Sequence, residues 1–341
     1  MRNLINIRIP RSSFNPPDET FWWIRANSND EIISINPMPT EFSFEVEDWS
    51  GDWLSPRGVD LQINGGLGVA FTELSLEQLP QLIKLLDLLW ADGIEAIAPT
   101  LVSCSVTSLR RSLEVLHRAR QEYSSNRCKL LGAHLEGPFL STRFKGAHNQ
   151  NYLCLPSLLA LNERIRGYEN EITLVTLAPE LPGSSEVIKK LKDFGIIISL
   201  GHSGADEAIA SASFDIGISM VTHTFNAMPG LHHRDPGPIA EAISRGDIDL
   251  GLIADGIHVN SKLAVMLHQL APKTLFLVSD ALPPYGFKKH QFDWDNKRLN
   301  INQGLCRLDD GTLAGTTMPL LEGCKRLANW TGNPSSAIWA A

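Results

Sequence analysis

Nothing in these 341 residues approaches the roughly 20-residue apolar run that a bilayer-spanning helix requires. The opening MRNLINIRIPRSSF has neither an apolar core nor a small-residue cleavage site, so no export signal is read there. Cysteine is sparse. Cys104, Cys128, Cys154, Cys306 and Cys324 are odd in number and never in CxxC spacing, which argues against a disulfide framework and for reduced thiols in the cytoplasm. Positive charge is in deficit: a net charge of −8 and a pI near 5.7 leave no electrostatic footprint for nucleic acid or an anionic membrane. An anionic ligand must therefore be held by local groups. Aromatic content of 7% without internal repeats gives no support to a scaffold protein.

What is present is an ordinary globular composition, 43% hydrophobic and 20% charged, in a chain long enough for one α/β barrel with a small appendage. The pattern changes once, near residue 54. Residues 1–54 hold short strand-like runs, Leu4–Ile9, Phe21–Arg25 and Glu31–Ile35, separated by Pro, Asn, Ser and Asp. About 50 residues bury little surface, so this reads as part of a small β domain leaning on residues 55–341. Beyond Arg57, strands alternate with helical stretches. Expected strands are Gly58–Asn64, Glu95–Val102, Lys129–Glu136, Ile172–Ala178, Gly195–Gly201, Ser219–His223, Ile248–Ala254 and Thr274–Asp280. Ser75–Ala91 carries leucines at helical spacing, with Pro80 suited to the first turn. Eight such alternations argue for a closed parallel (β/α)₈ barrel. An open doubly wound sheet is the competitor, but no Gly-rich dinucleotide fingerprint follows the first strand.

The polar residues favour the barrel. Glu136, His202, His223 and Asp280 fall at the C-terminal ends of the third, fifth, sixth and eighth strands, the face on which barrel enzymes carry chemistry. In an open sheet the ends of the third and eighth strands would lie far apart; in a closed barrel they converge. Alternation puts His134 on the face of Glu136, and Asp60, Gln62 and Asn64 on one face of the first strand. One carboxylate and two imidazoles suit a divalent metal with an open position for water, and a further carboxylate can move a proton. Each taken singly reads more readily as a satisfied polar residue in a barrel mouth; it is their delivery to one face by three separate strands that favours a metal. His134 is a packed barrel histidine or a partner of the ligands; His117, His268 and His290 carry no motif and read as surface or helix residues.

The segments GVDLQINGG (58–66), HLEGPFL (134–140), KGAHN (145–149), TLAPE (176–180), GHSGA (201–205), THTFNAMPG (222–230), RDPG (234–237), IADGIHV (253–259), LVSDA (277–281) and LAGTT (313–317) run in one order over almost all of residues 55–320. In that order they resemble the N-acetylglucosamine-6-phosphate deacetylase family of the amidohydrolase superfamily. The resemblance implies Glu136, His202 and His223 as ligands of one divalent metal, zinc by expectation, with iron, cobalt or manganese as alternatives. It implies Asp280 as the catalytic carboxylate, and His258 and His148 as substrate-contacting histidines. Gly137, Asn226, Ala227, Leu313, Ala314 and Gly315 match substrate-binding positions, and Arg234 matches an arginine that reaches the phosphate across a homodimer interface. The implied reaction removes acetate from N-acetylglucosamine 6-phosphate, an amino-sugar phosphate.

Two departures bear on this expectation. Many amidohydrolases place HxH on the first strand and bind a second metal. Here Gln62 and Asn64 stand at those positions, poor ligands that, with Gly65 and Gly66, are expected to line the substrate pocket. The chain also stops at Ile338-Trp339-Ala340-Ala341. The strands that would complete an N-terminal β-sandwich are therefore expected to be missing, leaving Phe21-Trp22-Trp23 and strand edges exposed. Another amidohydrolase acting on a different N-acyl or cyclic amide, or a non-catalytic sugar-phosphate binder, are the alternatives. Retention of Asp280 argues against the latter, since a binder needs no general base.

Overall fold

The computed structural model describes residues 1–10, 20–122, 126–295 and 297–341. The N-terminal segment forms a four-stranded sheet from β1 (Arg2–Ile7), β2 (Trp22–Ala26), β3 (Ile32–Pro37) and β4 (Glu47–Asp48), in the order β3-β2-β1-β4. Leu4, Ile7 and Ile24 pack together; Leu4 and Ile7, three positions apart, share a face because the strand is bulged between them, where Asn6 has a φ of 55°. Its outer strand leaves Ile32, Ile33 and Ile35 about half exposed. Trp23, by contrast, is covered by the ring of Phe44, stacked at 5.1 Å.

The parallel strands follow: β5 (Gly58–Ile63), β6 (Ile94–Val102), β7 (Ala133–Glu136), β8 (Ile172–Leu177), β9 (Ile197–Leu200), β10 (Met220–Val221), β11 (Asp249–Leu252) and β12 (Leu275–Leu277). They pair in sequence order, each with its neighbour. The seam between β12 and β5 closes beyond the strand ends, through the Ile63–Ala281 bridge and the bonds Asn64 N–H to Ala281 O (2.7 Å) and Asp280 N–H to Gln62 O (2.9 Å). A helix follows every strand. Leu79–Ala91 carries Pro80 in its first turn, where the missing N–H costs nothing. One expected strand is corrected: Lys129–Glu136 is broken at Gly132, whose φ of 147° lies in glycine's territory, into Lys129–Leu130 and β7. The sixth strand is also shorter than expected, because His223 already turns away.

A second antiparallel sheet, unanticipated in the sequence analysis, stands between β12 and the eighth helix, Leu320–Thr331. It runs β13 (Gln291–Trp294), β14 (Lys297–Asn302), β15 (Leu305–Leu308) and β16 (Leu313–Thr316). Gln303 and Gly304, with φ of 49° and 85°, form its two-residue hairpin turn. β16 docks on the end of β12: Thr316 N–H donates to Asp280 O at 3.0 Å and Leu282 N–H to Thr316 O at 2.8 Å. A Cβ on Gly315 would lie 2.6 Å from Asp280 O, so only glycine permits this approach. The chain's last carbonyl, on Ala341, accepts from Val59 N–H at 2.8 Å, beneath the first barrel strand.

Candidate metal centre and active site

Each strand that delivers a candidate functional side chain stops by entering the left-handed region. His202, His223 and Asp280 have φ of 49°, 28° and 46°, and Gly137, directly after Glu136, has 90°. Histidine and aspartate tolerate this region better than branched residues, yet three such positions on one rim are a concentration of local strain of the kind found at functional sites. The turn swings each side chain over the barrel mouth. All four carboxyl and imidazole groups are buried there.

Three potential ligand atoms meet. Glu136 Oε1 lies 3.2 Å from His202 Nε2 and 3.2 Å from His223 Nε2, and the two Nε2 atoms are 3.0 Å apart. Metal–ligand bonds of about 2.0–2.1 Å place the corners of a tetrahedron about 3.3 Å apart, so this triangle has the size of one tetrahedral face. Its protonation fits as well. His202 Nδ1–H donates to the Phe144 carbonyl at 2.9 Å, which leaves the Nε2 lone pair of the neutral ring inside the triangle. His148 is within reach too, with Nε2 3.8 Å from Glu136 Oε2, and Glu136, His148 and His202 also form a set compact enough for an ion. The Nδ1 of His148 meets Ser103 twice, at 3.4 Å from the backbone N–H, which donates to it, and at 3.1 Å from the hydroxyl Oγ, and the N–H contact suits a neutral ring with its proton on Nε2. Glu136 and His202 are thus common to both sets, with His223 or His148 as the third member. Burial, then the neighbouring His202, pulls His148 down to about 3, which keeps it neutral.

Gln62 and Asn64 face inward with Asp60, as their alternation requires, and all three are buried. Their amides act as donors. Gln62 Nε2 reaches Glu136 Oε1 at 3.2 Å and Asp280 Oδ1 at 3.4 Å, and Asn64 Nδ2 donates to Asp280 Oδ1 at 2.8 Å. Where two more imidazoles would call for a second cation, two amides tie down the carboxylates instead. Burial, then the charge of Glu136, pushes the Asp280 carboxyl up to about 8, while Asn64 opposes the shift. Glu136 moves the other way: although burial opposes it, its close contacts with the His202 and His223 imidazoles hold it well below the carboxylate range.

These groups line a cavity of about 340 Å³. Asn64, Glu136, His148, His202, His223, Asn226, Ala227, His258, Asp280, Leu313 and Ala314, all singled out in the sequence, are on its wall. Gln62 lies just behind, against both carboxylates, while Gly65, Gly137 and Gly315 shape the backbone behind the wall. Arg234 is off the wall; its guanidinium is exposed and bonded to His233 Nε2 at 2.7 Å.

Other groups escaped the sequence analysis. Asp255 Oδ2 accepts from His258 Nδ1 at 2.6 Å, and its Oδ1 accepts from the amides of Ile257 and His258, both at 2.8 Å. The i, i+3 pair inside ADGIH was the available signal. Although burial opposes it, the hydrogen bond from His258 holds Asp255 below its usual value. Arg143, Trp294 and Asp295 also reach the wall, the latter two from the unanticipated sheet.

Comparisons with known proteins came to the same place. No protein-family model matches the chain. A bovine (Bos taurus) N-acetylglucosamine-6-phosphate deacetylase is 34% identical over 312 residues, covering 87% of this chain and 74% of that protein. An N-acetylgalactosamine-6-phosphate deacetylase from Escherichia coli O157:H7 is 28% identical over 312 residues, covering 91% and 80%. The crystal structure of N-acetylglucosamine-6-phosphate deacetylase from Pasteurella multocida superposes with a TM-score of 0.81 at 27% identity, covering 99% of this chain and 86% of that one.

Proposed function

This chain belongs to the N-acetylglucosamine-6-phosphate deacetylase family, and on that premise we propose that it hydrolyses N-acetylglucosamine 6-phosphate to glucosamine 6-phosphate and acetate. The observation that carries the reading is the triangle of Glu136, His202 and His223 with Asp280 beside it, joined through Gln62. A single divalent cation on those three ligands would polarise the amide carbonyl and lower the pKa of a bound water. Tetrahedral size and a mixed imidazole–carboxylate set favour zinc over iron, cobalt or manganese.

In its ionised form, which a cation on the triangle would favour, Asp280 takes the proton from the attacking water and passes it to the nitrogen that leaves as the amine, acting first as base and then as acid. Asn64 holds its Oδ1, which orients the carboxylate. His258 keeps Nδ1 on Asp255 and turns Nε2 to the cavity, placed for the carbonyl oxygen or a sugar hydroxyl. Asn226 and Ala227 offer polar and backbone groups to the sugar, and Leu313 and Ala314 an apolar wall. Because Arg234 lies off the wall of its own cavity, it is suited to act on the cavity of a second copy in a homodimer. Five free thiols, four of them buried, suit a reducing compartment such as the cytoplasm.

The test is acetate release from N-acetylglucosamine 6-phosphate by metal-loaded protein, compared with its galactosamine epimer, the unphosphorylated sugar and the Asp280→Asn variant. Turnover that needs metal and Asp280 is expected. A folded, metal-loaded sample that releases no acetate from any of the sugars would refute the reading.

A further inference from the structure

A sugar 6-phosphate brings close to two negative charges into a cavity whose wall already carries Glu136, Asp280 and Asp295. A cationic donor would offset that charge and add charge-assisted hydrogen bonds. Among the described residues on the wall, Arg143 is the only lysine or arginine. It sits in the short turn Thr142–Phe144, seven residues beyond Glu136.

Three features make Arg143 suited to an anion. Its guanidinium lies over the Phe144 ring, 5.3 Å from the centroid, and makes no hydrogen bond or ion pair among the described residues. Other arginines, such as Arg120, Arg127 and Arg245, are held by carboxylates at 2.7 Å. The donors of Arg143 are thus uncommitted, and an aromatic face limits their motion. The turn itself is anchored to the centre, since Phe144 O is the acceptor that fixes His202. Finally, the acid that would compete for it is already engaged: Lys297 Nζ holds Asp295 Oδ2 at 2.9 Å and also donates to Ala147 O at 2.6 Å.

We propose that Arg143 is a specificity-determining residue that binds the phosphate of the substrate from within the same chain, ahead of or together with Arg234. This rests on the substrate being phosphorylated. Loss of a charge-assisted hydrogen bond to a dianion corresponds to about a 10- to 100-fold effect.

The experiment compares kcat/KM for N-acetylglucosamine 6-phosphate and for N-acetylglucosamine in wild type, Arg143→Gln, Arg143→Lys and Arg234→Gln, with metal content measured in each. Arg143→Gln is expected to lower the ratio of the two constants about 10- to 100-fold, through KM for the phosphorylated sugar, and Arg143→Lys to recover part of it. Competitive inhibition by glucosamine 6-phosphate against glucosamine should move in parallel, a binding readout independent of turnover. A wild-type preference for phosphate that Arg143→Gln keeps within twofold overturns the assignment alone. Equal constants for the two sugars in wild type would overturn the phosphorylated substrate, and the role of Arg143 with it.

Discussion

Two layers of one barrel interior, a single turn of side chains apart, use histidine in opposite ways. In the deeper layer His134 is fully buried and both its nitrogens meet hydroxyls, Thr100 Oγ1 at 3.1 Å and Thr176 Oγ1 at 2.8 Å. The run continues from Thr176 to Thr222 at 2.7 Å and on to Ser199 at 2.6 Å. Hydroxyls both donate and accept, so every member is satisfied without an ion. Burial holds His134 down at about 4, and it stays neutral. In the upper layer the Glu136 carboxylate meets Nε2 of His202, an acceptor because Nδ1 carries the proton of the neutral ring, and Nε2 of His223, with no hydroxyl between them. Buried acceptors at such distances need a shared positive charge. The contrast sets the proposed metal centre apart from a structural polar core by the supply of protons, and not by burial or by histidine content.

The comparison is broken most severely by removing the negative corner of the upper triangle. Glu136→Ala is expected to lose the metal and to lower deacetylation ~10³-fold or more, measured by elemental analysis and acetate release. A variant retaining full metal would move the centre toward His148 and His202. Next comes Asp280→Asn, which keeps the triangle but removes the proton carrier. Here kcat should fall by about 10²–10⁴-fold with metal stoichiometry unchanged. Asp255→Asn sharpens the contrast from outside the triangle, because a neutral amide there would no longer fix the His258 ring as the carboxylate does. A fall in kcat/KM on the order of 10²-fold, again with metal retained, is the expected outcome.

The deeper layer should fail differently. His134→Leu takes one hydrogen-bond partner from each of the Thr100 and Thr176 hydroxyls, so unfolding in urea should show a loss of about 1–3 kcal/mol while the metal stays bound. Loss of metal without loss of stability would show that the two layers are not distinct. The smallest effect is expected at Asp60, which burial pushes from 3.8 up to about 6 against the hydrogen bonds from Ser279 and Gln62. The folded state then holds the Asp60 proton more tightly than the unfolded chain. Stability should therefore fall as pH rises from about 4 to about 6, by an amount on the order of 2 kcal/mol. Asp60→Asn keeps the acceptor and should flatten that slope; an unchanged slope in pH-resolved denaturation would assign it to other carboxyls.

Much of this was legible along the chain. The eight strand–helix alternations, the inward face of Asp60, Gln62 and Asn64, and the placement of Glu136, His202, His223 and Asp280 at strand ends all follow from local periodicity. The sheet of residues 291–316 was overlooked although its Gln303-Gly304 turn was readable, and the partnership of Asp255 with His258 was hidden inside a motif already assigned to substrate contact.

By itself, the sequence determined which donor and acceptor types reach the barrel mouth, because strand alternation and strand ends are set by residues a few positions apart. Only the tertiary structure decided which atoms meet. Glu136 and His202 are 66 positions apart, and Gln62 and Asp280 218 apart. The proton on His202 Nδ1 is assigned by Phe144, 58 positions away. Such long-range pairings depend on how the closed barrel brings remote loops together, and they separate a neutral hydroxyl network from the groups proposed to hold a cation.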